Sequence, residues 1–316
     1  MKIFLAALGL AFATSLFGQS WPTRPVRVIV NVAPGGVADV TARVLGARLT
    51  ETLGQPFVVE NRAGGDGYIG FEAVGRAEPD GYTMLYSPGS AMMIAPHIVN
   101  RADLDPTKIL TPVVPTGRVS LYVLTHPKVP VSNFKEFLAY ARANSGKLNY
   151  GSPGNGTSPH IATEVFDREA KVKMNHIPYK GAGPALKDLL GGVIDLTFDP
   201  GVGLAQAKAG KLRMIAVAGP TRHPDFPDVP TLEENGIHGV DGGPHFAFYA
   251  TSGAPREAIE RLNREVTRLM QEPQVLERFK ALAVELADPM TPVQFAAYVK
   301  SEYERYAKLI PELGIK

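Results

Sequence analysis

Hydrophobic and polar positions alternate in short β-branched runs along much of the chain, and glycine-rich segments with helical patterns follow these runs. Valines alternate with other residues over 26–31, which predicts a strand. The segment 33–36 (APGG) breaks this pattern, and Val40, Val44 and Leu49 then recur at helical spacing. A strand, a glycine loop and a helix start present unpaired N–H groups to an anion. A plain turn also uses glycine for its backbone freedom, so this stretch alone leaves both interpretations open.

The order of strand, small-residue loop and helix is predicted again along the chain. This alternation predicts an α/β fold with largely parallel sheets. Glycine-rich loops follow predicted strands in the first third and in the middle, at 64–67, 87–90, 153–158 and 180–183. Ligands of open α/β sheets bind at the carboxyl ends of strands, so two facing sets of loops predict a ligand cleft.

The proline content of 101–117 predicts irregular structure, and three helices are predicted after residue 255. The predicted strands are 26–30, 57–60, 82–86, 119–125, 148–152, 174–177, 193–198, 212–217 and 246–250.

Composition narrows the class of protein. With 316 residues, 45% of them hydrophobic, the chain can bury ordinary cores, and its length suggests two domains. The formal net charge is +2, from 33 basic and 31 acidic side chains without a basic block, which argues against a nucleic-acid partner. The chain has no cysteine, which excludes a disulfide and a cysteine-linked lipid.

The first 20 residues form a different kind of sequence. Lys2 precedes an apolar run at 3–17, and Gly18-Gln19-Ser20 follows it. This is the pattern of a secretory signal peptide cleaved near Ser20. We therefore expect an exported protein that does not insert into a membrane after signal cleavage.

The chain offers weak signals for enzymatic chemistry. Residues 65–70 match GxGxxG, but the next predicted strand ends in Ser87 and Pro88, where a dinucleotide site needs an acidic residue. A secreted NAD-dependent enzyme that uses Gly65–Gly70 is the alternative function. Ser152 lacks the glycine two residues before it that a GxSxG elbow requires. The seven histidines show no metal-ligand spacing. We expect no catalytic residues, no metal and no cofactor.

Ordered motifs across 21–316 resemble one family, the periplasmic solute-binding receptors of tripartite tricarboxylate transporters, or Bug proteins. The motifs that carry the resemblance are Trp21-Pro22…Pro25, Ala33-Pro34-Gly35-Gly36-Val37-Ala38-Asp39, Leu53-Gly54-Gln55, Val59-Glu60-Asn61-Arg62, Pro79-Asp80-Gly81-Tyr82-Thr83, Gly146-Lys147-Leu148…Tyr150, His176-Ile177-Pro178-Tyr179-Lys180-Gly181, Asp188-Leu189-Leu190-Gly191-Gly192, Gly210-Lys211-Leu212 and Asp228-Val229-Pro230-Thr231.

The resemblance implies a two-domain periplasmic-binding-protein (Venus flytrap) architecture with two crossover segments. Domain 1 would comprise 22–122 and 246–316, and domain 2 would comprise 123–245. The resemblance also implies a monomer that binds a small organic carboxylate between the domains and delivers it to the membrane components of a tripartite tricarboxylate transporter. The candidate ligand-binding residues are Gly35, Gly36, Asp39, Ser87, Ser90, Ser152, Thr157, Ser158, Asp199 and His245.

One of these candidates departs from the family pattern. His245 stands where the family usually has Trp, at the return crossover. An imidazole with an unperturbed pKa near ~6.5 would favour a bound anion when protonated. The alternative is a ring packed against Pro244 and Phe246 without ligand contact. For Lys180 and Arg62, a ligand contact and a surface ion pair both remain open.

Overall fold

The computed structural model describes residues 21–64, 67–98 and 105–315, so the predicted signal peptide at 1–20 lies outside the described residues. The strands in this part of the chain are β1 (Val26–Val30), β2 (Phe57–Asn61), β3 (Thr83–Ser87), β4 (Leu110–Val119), β5 (Leu121–Thr125), β6 (Asn149–Ser152), β7 (Asn175–Pro178), β8 (Leu196–Asp199), β9 (Arg213–Ala218), β10 (Phe246–Thr251) and β11 (Val284–Leu286).

Helices connect most of these strands. They are α1 (Val37–Leu53), α2 (Tyr68–Gly75), α3 (Gly89–Met93), α4 (Pro106–Ile109), α5 (Phe134–Ala143), α6 (Ser158–Ala170), α7 (Ala182–Leu190), α8 (Leu204–Lys208), α9 (Arg256–Leu269), α10 (Pro273–Ala281) and α11 (Pro292–Glu312). Among the described helices, none combines the length and the apolar character that crossing a membrane requires.

The strands form two sheets. The first sheet has the order β11-β4-β10-β3-β1-β2, and the second has the order β7-β6-β8-β5-β9. In the first sheet β1 pairs in parallel with β2 and β3, while β10 and β11 run antiparallel to their neighbours. In the second sheet β6 pairs in parallel with β7 and β8, while β5 is antiparallel.

The prediction of largely parallel sheets is therefore wrong, because both sheets are mixed. The parallel pairs arise where a helix carries the chain back to the end of the sheet at which the previous strand began, so that the next strand runs in the same direction. The antiparallel pairs involve β4, β5 and β10, the strands that flank the passages from one sheet to the other.

The prediction of irregular structure at 101–117 is also wrong where the chain is described; 101–104 lie outside the described residues. Leu110–Val119 forms β4, although Pro112 and Pro115 lie within it. Both prolines lie opposite β10, where the register shifts, and β11 pairs only with the last three residues of β4. Irregular pairing reduces the cost of the missing proline N–H groups.

The chain passes from the first sheet to the second at Ser120, since β4 ends at Val119 and β5 begins at Leu121. The predicted single strand at 119–125 is thus divided between the two sheets. The return segment touches this passage closely, because a Cβ on Gly242 would lie 1.8 Å from the carbonyl oxygen of Val119. A glycine is needed at position 242 for the two passages to pack backbone to backbone.

A hydrophobic core joins the two sheets. The larger cluster of buried side chains includes Val28 of β1, Phe248 of β10 and Phe198 of β8. A smaller cluster, with Tyr122 and Leu189, lies in the second sheet's part of the chain. Both sheets thus contribute side chains to the larger cluster.

Candidate functional site

Asp39 organises the 33–36 loop from the first turn of α1. Its carboxylate is 3% exposed and accepts a hydrogen bond from the N–H of Gly35 at 2.9 Å. Arg43 Nε at 3.0 Å and Asn61 Nδ2 at 2.9 Å donate to its other oxygen. The carboxylate therefore reaches back from the first helical turn to the N–H of the preceding loop.

These contacts keep Asp39 ionised. Burial by itself raises the pKa of its carboxyl, but the hydrogen bonds from Gly35, Arg43 and Asn61 outweigh burial and hold the pKa below its usual value. A carboxylate that is already satisfied by three donors repels an anionic ligand, so its geometry suits a residue that holds the loop.

Gly35 and Gly36 are glycines for different reasons. Gly35 has a φ of +83°, which L side chains rarely adopt. Gly36, the N-cap of α1, has a φ of −74° and a ψ of 164°, which any residue adopts. A Cβ on Gly36 would meet only the oxygen of Ala33, at 3.7 Å. The ligand-free fold therefore gives no reason for glycine at position 36, whereas close approach of a ligand would.

A second loop follows β3. Ser87 is fully buried, and its hydroxyl donates to the carbonyl oxygen of Pro88 at 2.9 Å. Ser90 lies in α3 and is 6% exposed. A Cβ on Gly89 would lie 2.7 Å from the carbonyl oxygen of His245, so the return segment packs directly against this loop.

Gly154 is the centre of the 152–158 loop, which follows β6. Its carbonyl oxygen accepts hydrogen bonds from Ser152 Oγ at 3.0 Å and from Thr157 Oγ1 at 2.8 Å, and its N–H donates to Ser152 Oγ at 3.2 Å. Ser152 Oγ also lies 2.6 Å from His176 Nε2. The Thr157 proton goes to the carbonyl, and the Ser152 proton goes to the carbonyl or to the ring nitrogen.

Asp199, the last residue of β8, holds its loop as Asp39 holds the 33–36 loop. Its carboxylate is 2% exposed and accepts from the N–H groups of Gly201 at 2.8 Å and Gly203 at 2.9 Å. Burial raises the pKa of Asp199 to about 6, against the lowering effect of these two hydrogen bonds. The side chain is thus turned toward its own loop.

The predicted residues fall into two groups, according to whether their hydrogen-bond donors already bond to an acceptor within the protein. A carboxylate ligand only accepts hydrogen bonds, so a contact must have a proton to donate. The N–H of Gly35 and the hydroxyls of Ser87, Ser152 and Thr157 already give theirs to protein acceptors. Within the described part of the chain, the remaining donors are the hydroxyls of Ser90 and Ser158, the backbone N–H of Gly36, and the first-turn amides of α1 and α6. Pro159, in the first turn of α6, has no N–H and is not among them.

His245 directly precedes β10, and its ring packs against α11. Its ring centroid is 5.4 Å from that of Tyr298. Burial, together with the nearby Arg118 guanidinium, lowers the pKa of His245 to about 4, so the ring is neutral near pH 7. This arrangement favours a packed ring over a titrating ligand contact. The sequence alternative named Pro244 and Phe246 as packing partners, whereas the aromatic ring beside His245 is that of Tyr298.

Two histidines beneath the 152–158 loop were not singled out as site residues by the sequence. The rings of His160 and His176 stack with centroids 4.0 Å apart and planes 10° from parallel. His160 Nδ1 accepts from the N–H of Gly156 at 3.2 Å. The sequence signal that could have identified His176 is the motif that starts at this residue. Its use would have required knowing that His176 lies opposite Tyr150 in the pairing of β6 with β7.

The residues behind the NAD alternative have packing explanations where they are described; Gly65 lies outside the described residues. A Cβ on Gly70 would lie 2.9 Å from the carbonyl oxygen of Arg62 and 2.7 Å from Cβ of Asn31. Glycine at position 70 therefore lets α2 approach β1. Arg62 Nε itself donates to Glu60 at 2.7 Å, which is the ion-pair interpretation of that arginine.

A shallow recess lies between α6 and α11, and no residue of the 33–36 loop lines it. It is lined by apolar residues such as Ile161 and Leu309, by the charged pair Asp241 and Arg305, and by Ser158. It shares only Ser158 with the ten predicted site residues. Within 21–64, 67–98 and 105–315, no three His, Asp or Glu side chains lie together as a metal site would require.

Comparison with known proteins agrees with this geometry. Residues 41–315 match the family model of the tripartite tricarboxylate transporter family receptor, TctC. Protein BugT of Bordetella pertussis is 37% identical over 326 residues, which cover 99% of this chain and 96% of BugT.

Two solved structures are similar as well. R. palustris Rpa4515 with adipate has a TM-score of 0.86 and 31% identity, and the match covers 94% of this chain and 99% of that one. MatC from Rhodopseudomonas palustris with bound malate has a TM-score of 0.83 and 31% identity, covering 92% of this chain and 100% of that one.

Two α/β sheets joined by two passages, with loops at the strand ends, define the class of two-domain periplasmic solute-binding proteins. Within that class, the chain belongs to the tripartite tricarboxylate transporter receptor family, and to its Bug proteins. The resemblance inferred from the motifs and the predicted fold class are both confirmed.

Proposed function

We propose that this protein captures a small organic carboxylate in the cleft between its two domains and delivers it to the membrane components of a tripartite tricarboxylate-type transporter. The observation that carries the proposal is the set of donors at the starts of α1 and α6 that have no intrahelical acceptor. In the neighbouring loops, the N–H of Gly35 and the hydroxyls of Ser152 and Thr157 already donate to acceptors within the protein. The adipate and malate in the two similar structures support the ligand class.

The direct ligand contacts are the donors of Gly36, Ser90 and Ser158 and the first-turn amides of α1 and α6. Six other predicted residues hold these donors in place: Gly35, Asp39, Ser87, Ser152, Thr157 and Asp199. His245 supports the wall through its packing on Tyr298.

The energies of these contacts are sufficient for binding. Micromolar affinity corresponds to about −8 kcal/mol. One charge-assisted hydrogen bond contributes about 1.5–3 kcal/mol, and a partly buried helix N-terminus adds up to ~2 kcal/mol. Four or five contacts therefore suffice without an arginine clamp.

The domains proposed from the sequence are 22–122 with 246–316, and 123–245. The membership of the strands in the two sheets supports this division, with the first passage at Ser120. The two passages act as a hinge, and ligand binding closes the domains. Small-angle scattering checks this, since the radius of gyration falls on ligand saturation if the domains close and stays constant if the cleft is rigid.

The protein works in the periplasm as a monomer after removal of residues 1–20, and it catalyses no reaction. The resemblance and the signal-peptide pattern support this location. The enzymatic alternative, NAD chemistry at Gly65–Gly70, predicts dinucleotide binding instead.

A thermal-shift screen of the mature protein tests the function. Dicarboxylates, tricarboxylates, acidic amino acids and aromatic acids form the panel, with NAD as the competing ligand. The proposal predicts that at least one carboxylate raises the melting temperature and is recovered chemically unchanged. Stabilisation by NAD alone, or conversion of the bound acid, would contradict it.

A further inference from the structure

The stacked histidines connect the loop that starts α6 to the interior of the second domain. His160 lies in the first turn of α6, and His176 lies on the neighbouring strand β7. The ring of Tyr150 continues the stack, with its centroid 4.9 Å from that of His176. Three aromatic rings from three elements thus form a rigid support under the 152–158 loop.

Each histidine makes one hydrogen bond to this loop. His160 Nδ1 accepts the N–H of Gly156 at 3.2 Å, and His176 Nε2 lies 2.6 Å from Ser152 Oγ. Gly156 has a φ of +69°, and a Cβ there would lie 3.1 Å from Cα of Ala95, in the first domain. The atom that His160 holds is therefore at the point where the loop touches the opposite domain.

The geometry points to His160 and His176 as positioning residues of the carboxylate site: together they fix the 152–158 loop, and His160 does so only as a neutral imidazole that accepts from the Gly156 N–H. This rests on the proposed function, because it concerns the loop that delivers Ser158 and the α6 amides to the ligand. Neither ring is proposed to touch the ligand.

The protonation state follows from the hydrogen bonds. A ring nitrogen that accepts an N–H carries no proton, so His160 bears its proton on Nε2. That nitrogen lies 3.9 Å from Glu164 Oε1, the charged group that faces the stack from α6, and Tyr150 donates its hydroxyl to the same oxygen from β6. Burial, then the neighbouring His176, lowers the pKa of His160 to about 3, and burial lowers the pKa of His176 to about 4.

The test compares variants that remove or retain each hydrogen bond. His160→Leu removes the acceptor, whereas His160→Asn retains an acceptor at the position of Nδ1. His176→Phe keeps the stack but loses the ring nitrogen, whereas His176→Gln places an amide near Nε2. Each is measured by amide hydrogen exchange of 152–158 in the ligand-free protein and by calorimetry with malate and adipate.

We expect His160→Leu and His176→Phe to exchange faster in 152–158, with α1 unchanged, and to bind the carboxylate about tenfold more weakly. The Asn and Gln variants should recover most of the affinity. In wild type the neutral pair predicts no histidine-dependent change of affinity between pH 5.5 and 8.

Two results would overturn the inference. One is unchanged exchange of 152–158 in His160→Leu, and the other is a change of affinity between pH 5.5 and 8 that disappears in His160→Asn. If wild type binds neither acid nor any other carboxylate, the proposed function fails, and the exchange data still decide whether the histidines hold the loop.

Discussion

Gly36→Ala is the substitution that best separates a ligand-contacting glycine from a structural one. The backbone at Gly36 is extended and a Cβ there would meet Ala33 at 3.7 Å, an ordinary contact. The ligand-free protein should therefore fold normally. Its stability should change by less than about 1 kcal/mol, because the entropy that alanine removes from the unfolded chain is offset by alanine's poorer fit at an N-cap.

The binding affinity, by contrast, should fall. The added methyl group lies on the residue that caps α1, where the ligand must approach the free amides. Loss of one charge-assisted hydrogen bond, about 1.5–3 kcal/mol, corresponds to roughly 10- to 150-fold weaker binding. Calorimetry with the best carboxylate of the screen measures the affinity, and urea unfolding without ligand measures the stability.

Gly35→Ala is the matched control in the same loop. Its φ of +83° makes a side chain strained, at a cost of about 1–2 kcal/mol in the ligand-free protein. We thus expect position 35 to affect stability and position 36 to affect affinity. A Gly36→Ala protein that folds and binds like wild type would refute the reasoning and leave 33–36 as a simple turn.

Three further predictions concern stability. Asp39→Asn should lower the free energy of unfolding in urea by about 1–3 kcal/mol at pH 7. Because the pKa of Asp39 is depressed, the difference from wild type should vanish as pH falls through that pKa. A difference that persists at lower pH would contradict this prediction. Asp199 stays protonated in the folded state up to about pH 6, so wild type should lose stability as pH rises from 4 to 6. Asp199→Asn should remove this loss, up to about 3 kcal/mol at pH 7.5, and an unchanged pH profile would argue against it. Gly242→Ala should cost about 1–3 kcal/mol, since its Cβ overlaps Val119, and an unaffected melting temperature would show that the passages move apart freely.

The sequence predicted the elements whose signals are local. β1, its glycine loop and α1 follow from residue pattern and turn chemistry within a few positions. β4 was missed because its two prolines are tolerated only through the irregular pairing with β10, which is a long-range property.

The sequence predicts where the candidate site residues lie along the fold, but not which hydrogen bonds they make within the protein. Sequence pattern places Ser152 and Asp199 at strand ends and Thr157 in the loop before the next helix, and the structure has all three there. The sequence pattern could not show that these side chains form hydrogen bonds within their own loops, because the bonded atoms come together only on folding. The His160–His176 stack was invisible for the same reason, since it joins α6 to β7.

A calorimetric titration of the mature protein with the carboxylate that stabilises it most tests the central claim directly. We predict one binding site per chain with a dissociation constant near or below about 1 μM, a value that four or five charge-assisted hydrogen bonds support. The acid recovered after the titration should be chemically unchanged. Failure of every carboxylate to bind, or tight binding of NAD in their place, would contradict the account.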